Sequence, residues 1–155
     1  MAREDLTRVL DEGGVRYEIL PHAHTESAAA EAAALGVAQA EVAKTLVVTT
    51  SQGNVRAVLP ASQRLDLSKL GELYDEGKKK IHLATEDDLA RDYPEFDLGA
   101  VPPLGGRSDE VVIDTRLVDR ESVVLEAGSH DESVRLLTED LVRLTRAKVA
   151  DISTD

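Results

Sequence analysis

Cysteine is absent from this 155-residue chain, so disulfides, thiolate nucleophiles and cysteine-based zinc sites are excluded. Tryptophan is absent too, and aromatic residues make up only 3%, which argues against platforms that hold single-stranded nucleic acid by stacking. No apolar run approaches the roughly 20 residues that span a bilayer. The opening Met1-Ala2-Arg3-Glu4-Asp5 carries acids where a secretion signal needs positive charge. The expectation is a soluble, cytoplasmic protein without a membrane partner. Positive charge is also scarce: 18 Lys and Arg against 30 Asp and Glu give a formal net charge of -12. Such a surface repels a phosphate backbone at long range, which excludes tight non-specific binding to nucleic acid but not a small basic site. The acidic excess is equally compatible with a salty cytoplasm. Lys78-Lys79-Lys80, preceded by Arg64 and Lys69, forms the clearest positive cluster, and a solvated face is its plain reading.

What is present fits one domain, residues 1–155, long enough to bury a core without staples. Leu6, Val9 and Leu10 share a helical face that Gly13-Gly14 stops. A short strand, Val15 to Leu20, ends at Pro21. Ala28 to Leu35 reads as an alanine-rich helix, capped by Thr25 or Ser27 and closed by Gly36. Lys44 to Thr50 and Asn54 to Pro60 form a hairpin around Ser51-Gln52-Gly53. A helix over Asp66 to Glu76 closes at Gly77, a strand over Lys79 to Ala84 follows, and Thr85 caps another helix that ends near Tyr93-Pro94. Glu110 to Asp114, Arg116 to Val118, Ser122 to Glu126 and Ser133 to Leu137 read as strands. Thr138 then caps a final helix carrying Leu141, Val142, Leu144 and Val149. Interspersed elements with short hairpin loops predict an α+β fold.

Three features can carry chemistry. Lys44 opens an otherwise uncharged strand, where partial desolvation disfavours the ammonium and suits anion binding; the alternative is a side chain that snorkels to water. The segment Gly99-Ala100-Val101-Pro102-Pro103-Leu104-Gly105-Gly106 can present rigid backbone N–H groups to a carbonyl or carboxylate, or can be an ordinary turn. His130, after Gly128-Ser129, can orient substrate or water, or lie idle at the surface. His22 and His24 have metal-pair spacing but no apparent third ligand, so no metal and no cofactor are expected. Neither a serine nucleophile elbow nor a phosphate-binding glycine motif occurs.

Taken in order, His24-Thr25 before the alanine-rich helix ending Leu35-Gly36, then Val42-Ala43-Lys44-Thr45-Leu46-Val47, then Gly99-x-x-x-Pro103-Leu104-Gly105, then Gly128-Ser129-His130, resemble the YbaK and prolyl-tRNA synthetase-associated editing domain family. The resemblance spans roughly residues 15 to 150. It implies a mixed, mostly antiparallel, barrel-like sheet flanked by helices, and free-standing hydrolysis of the ester joining a wrong amino acid to tRNA. A tRNA for proline carrying a small wrong amino acid is the substrate it suggests. Lys44 matches that family's essential lysine, and Gly99 and Pro103 match the ends of its Gly-x-x-x-Pro loop; these three are the expected catalytic positions. Ala100, Val101, Pro102, Leu104 and Gly105 of the same loop, with Thr25 and His130, are the expected substrate-binding positions, and Ser27 borders them. Pro102 and the acidic surface depart from the common pattern.

An aminoacyl ester is activated by its neighbouring ribose hydroxyl, so the lack of a covalent nucleophile is tolerable. Lys44 can hold a terminal phosphate or stabilise charge on the carbonyl while loop N–H groups position it. The expected partner is the acceptor end of a mischarged aminoacyl-tRNA, gripped by a few cations, with a synthetase or elongation factor as a possible recruiter. The alternative is a non-catalytic module that binds an amino acid, nucleotide or protein in the same pocket.

Overall fold

The computed structural model describes residues 2–75 and 81–154, so Lys78, Lys79, Lys80 and the expected helix stop at Gly77 lie outside the described residues. Helix α1 (Ala2–Glu12) buries Leu6 and Leu10 completely, and β1 (Tyr17–Pro21) follows. The N-cap of α2 (Ala28–Leu35) is Ser27, whose hydroxyl accepts from the Ala30 N–H, and Gly36 ends the helix in the left-handed region at φ 67°. After a 3-10 turn at Gln39–Glu41, β2 (Ala43–Thr50) and β3 (Gly53–Pro60) form the expected hairpin, with Lys44 opposite Leu59. Then come β4 (Arg64–Leu65) and α3 (Leu67–Leu73), capped by Asp66. The strand expected from Lys79 is seen only as β5 (His82–Leu83). A reciprocal capping box between Thr85 and Asp88 starts α4 (Glu86–Asp92).

Beyond β6 (Glu110–Asp114), two expectations need correction. Arg116 to Val118 is not a strand but part of a short helix, α5 (Thr115–Val118), because the Asp114 carboxylate caps it at the Arg116 N–H. After the antiparallel pair β7 (Ser122–Ser129) and β8 (Glu132–Leu137), Thr138 is the first residue of α6 (Thr138–Thr145) rather than its cap, which is Leu137. That helix stops where Arg146 turns left-handed at φ 53°. Val149 therefore lies on β9 (Lys148–Ala150), and β10 (Ser153–Thr154) pairs with β4; sequence patterning shows neither strand.

Five of the seven strand pairings are antiparallel among the described residues, giving the mixed, mostly antiparallel architecture. The strands divide into a sheet in the order β1-β8-β7 and a sheet in the order β5-β2-β3-β6-β9, with β4 and β10 apart. A bridge between Val42 and Val124 joins the two large sheets. One apolar core fills the space between them: Leu6 and Leu10 of α1, Val58 and Ile113 of one sheet, Val123, Leu125, Val134 and Leu136 of the other, with Leu117 and Leu141. Burying each such side chain contributes about 1.5–3 kcal/mol, and the join brings the start of β2 beside β7.

Candidate functional site: a lysine, a loop and a buried glutamate

Val42 and Ala43 are buried where the two sheets meet, so the next residue, Lys44, is drawn to the margin of the core and is half-buried. Among the described residues no carboxylate pairs with it. Burial pushes its pKa below the ordinary lysine value, and the Arg64 charge adds to the shift. An unpaired, partly desolvated ammonium attracts an anion.

The loop that faces Lys44 is held from behind. Gly99 adopts φ 81°, a conformation that L side chains avoid. The Ala100 N–H donates to the Asp97 carbonyl at 3.0 Å, and Pro102 and Pro103 have no N–H. Between Gly99 and Pro103 the backbone donors thus narrow to Gly99 and Val101, for which no backbone partner exists among the described residues.

Arg56, on β3 and 1% exposed, fixes the second half of the loop. Its guanidinium donates to the carbonyls of Pro102 (2.9 Å), Gly105 (2.7 Å) and Arg107 (3.0 Å), and its Nε pairs with Asp109 at 3.0 Å. Asp109 also accepts from Tyr93 Oη and Arg107 Nε. Sequence reasoning missed Arg56, although an arginine between Val55 and Ala57, sharing a strand face with Val58, was the available signal.

Lys44, Gly99, Ala100, Val101 and Pro102 line one pocket of about 190 Å³, with Ser27, Leu46, Glu26 and Glu126 also in its wall. A smaller apolar recess of about 140 Å³, lined by Leu46, Val47, Leu83, Leu89 and Val101, adjoins it through shared residues. Pro103, Leu104 and Gly105 face away: they line a separate cleft with Arg8 and Arg56, Leu104 packs in the main core, and Gly105 sits against the backbone of Asp5. Thr25 and His130 lie behind the pocket. The Thr25 N–H donates to the His130 carbonyl at 2.9 Å, and the His130 Nε2 lies 2.6 Å from the Leu98 carbonyl, just before Gly99. His22 joins Ser133 at 2.8 Å, and Ser133 donates to the buried Glu31; no three-residue metal cluster occurs among the described residues.

Glu126 was also missed. Its carboxyl is pushed up to about 8, by burial first and then by Glu31, Asp97 and Glu26. Its Oε2 lies 3.3 Å from His130 Nδ1, yet neither atom has a hydrogen-bond partner of good geometry. Read as the last residue of an expected strand, it carried no signal; only β7 running on to Ser129 past a register shift after Glu126 directs it into the pocket. The pocket lining therefore combines the Lys44 ammonium, the Glu126 carboxyl and the backbone of the Gly99 loop.

Residues 22–144 match the family model described as aminoacyl-tRNA editing domain. A protein of Enterococcus faecalis named as a candidate Cys-tRNA(Pro)/Cys-tRNA(Cys) deacylase, EbsC, is 28% identical over 152 residues, covering 95% of this chain and 91% of that one. The prolyl-tRNA editing protein ProX of Acetoanaerobium sticklandii is 31% identical over 113 residues, 68% of this chain and 67% of its own. Among solved structures, hypothetical protein APE2540 superposes with a TM-score of 0.88 at 27% identity, over 97% of this chain and 99% of its own. A candidate trans-editing enzyme for prolyl tRNA synthetase superposes with a TM-score of 0.89 at 24% identity, over 99% of this chain and 98% of its own; at that identity the likeness concerns the fold. With most of its length matched, the chain belongs to the aminoacyl-tRNA editing domain family.

Proposed function

We propose that this protein is a hydrolase that cleaves the ester between a tRNA and a wrongly attached small amino acid, a tRNA for proline being the substrate the relatives' names favour. The observation that carries the reading is the shared pocket: a partly desolvated lysine opposite a loop with two free N–H donors, at Gly99 and Val101. Water attacks the ester carbonyl, the electron pair moves to the carbonyl oxygen, and the backbone donors hold the oxyanion. Collapse expels the ribose oxygen, while the neighbouring ribose hydroxyl relays the proton. Lys44 holds the terminal phosphate or the developing charge, with Arg64 near enough to depress it and to share an anion. Pro103 acts at the far end of the loop, through loop shape; Thr25 and His130 act as the floor beneath Gly99.

A pocket of about 190 Å³ admits a small side chain, and size exclusion is the expected selector because one methylene changes hydrophobic binding by only about 1–3 kcal/mol. With -12 net charge, the grip on tRNA is confined to the acceptor end and weakens with salt. The reading carries a cytoplasmic location with it, where charged tRNA is used. No helix among the described residues is long and apolar enough to cross a membrane. The test is release of labelled amino acid from a panel of mischarged tRNAs at low and moderate salt. Turnover on small wrong amino acids supports the reading; saturable binding with no turnover on any member replaces it with a binding module.

A further inference from the structure

We propose that Glu126 receives the α-ammonium group of the aminoacyl ester, so that the pocket recognises its substrate by a charge of each sign. This rests on the deacylase reading above and extends it to the part of the substrate that the lysine and the loop leave unclaimed. The 3′ end of an aminoacyl-tRNA is bipolar, with phosphate on one side of the ester and an ammonium on the carbon next to the carbonyl on the other. The pocket holds groups of both signs: the Lys44 ammonium, which feels the Arg64 charge, lines it together with the Gly99 and Val101 backbone, the Glu126 carboxyl and the exposed Glu26.

The position of the carboxyl is built rather than incidental. The His130 side chain is 8% exposed, and its Nε2 must donate to the Leu98 carbonyl at 2.6 Å. In the neutral ring this leaves the Nδ1 lone pair facing Glu126 Oε2 at 3.3 Å, with no other partner for either atom. Two acceptors that face each other need a proton between them, so before an ammonium arrives the proton sits on the Glu126 carboxyl, beside His130 but without a hydrogen bond of good geometry to hold it there, and the rest of the carboxyl forms pocket wall. The groups that act on Glu126 from the surrounding elements are Glu31 on α2, Glu26 between β1 and α2, Asp97 after α4, and His130 after β7, with His24 lying against His130 and Glu26 rather than against Glu126 itself. The acids outnumber the histidine, and their summed field keeps the carboxyl protonated until a cation arrives; the ammonium then takes the place of that proton and leaves Glu126 as its carboxylate partner. An acyl group without the ammonium leaves this wall unmatched.

The test uses two stable amide analogues of the acceptor end, 3′-alanylamino-3′-deoxyadenosine 5′-phosphate and its lactyl counterpart, in which a hydroxyl replaces the ammonium. Each is titrated calorimetrically at pH 7 against the wild type and Glu126→Gln, and hydrolysis of alanyl-tRNA and lactyl-tRNA is followed alongside. The wild type is expected to bind the alanyl analogue about tenfold or more tightly than the lactyl one, as loss of a charged hydrogen bond implies. Glu126→Gln is expected to reduce that preference to about twofold or less while leaving lactyl affinity unchanged. Equal wild-type affinities, no binding of either analogue, or a preference that survives in Glu126→Gln overturns the assignment; the wild-type arm stands even if the variant fails to fold. Ammonium-dependent binding without hydrolysis of any ester overturns the deacylase reading alone. Equal hydrolysis of the alanyl and lactyl esters overturns the Glu126 assignment alone.

Discussion

Replacing Arg56 by methionine keeps an unbranched stem and removes the guanidinium. Four donor contacts of 2.7–3.0 Å are lost, and Asp109, its side chain 3% exposed, loses one of its cationic partners. At about 1.5–3 kcal/mol for each hydrogen bond to a charged group, the simple sum far exceeds what removal of one side chain costs, because the arginine no longer has to be desolvated. Breaking a buried pair from one side costs about 3–5 kcal/mol. Arg107 and Tyr93 still serve Asp109, so the lower part of that range, about 3 kcal/mol, is the expectation. With a urea dependence of about 2 kcal/mol/M, the unfolding midpoint falls by roughly 1.5 M. Asp109→Asn in the same background removes the orphaned charge, so the double variant is less unstable than the sum of the singles by about 1 kcal/mol or more. In conditions where Arg56→Met remains folded, deacylation also slows, because the carbonyls of Pro102 and Gly105 are no longer pinned. A midpoint shift under about 0.3 M, or strict additivity in the cycle, refutes the view of Arg56 as the staple of the loop.

Two further outcomes follow from the same geometry. Gly99→Ala forces a Cβ onto a residue at φ 81°; the space is adequate, with His130 Cε1 at 3.7 Å from the added atom, so backbone strain alone, about 1–2 kcal/mol, displaces the donor and lowers kcat more than it raises KM, as single-turnover and steady-state rates together will read. The Glu126 carboxyl, raised to about 8 against about 4.3 in the unfolded chain, makes the folded state bind more protons across that window. Its contribution is full below the unfolded value and is lost as pH rises through about 8, so urea midpoints of the wild type should fall relative to Glu126→Gln between pH 5 and pH 9, by about 2–4 kcal/mol in stability. Parallel curves contradict this.

Much of the fold was legible because its elements carry their own punctuation. Ser27 and Gly36 bracket α2, Thr85 and Asp88 start α4, and Gly53 closes the β2–β3 hairpin; these are local signals that tertiary contacts did not override. Arg116 to Val118 misled because three residues, two of them apolar and adjacent, fit either period, and only the Asp114 cap decides for helix. β9 and β10 are too short to show a pattern and owe their existence to β6 and β4. In the site, Lys44 was legible as a lone charge in an uncharged strand, and Gly99 to Pro102 as the one glycine and proline segment. The loop's second half looked equivalent in sequence but is turned away by Arg56, a contact 46 or more residues distant. Glu126 was invisible because its role depends on where two sheets join, at Val42 and Val124.

The proposed role of Lys44 in hydrolysing a mischarged tRNA is tested by the single-turnover rate of ester cleavage on alanyl-tRNA for proline with enzyme in excess, wild type against Lys44→Ala. The expected fall is about a hundredfold or more, the usual effect of removing a group that stabilises developing charge, with the circular dichroism spectrum unchanged. A Lys44→Ala rate within about twofold of the wild type, far short of that effect, contradicts it.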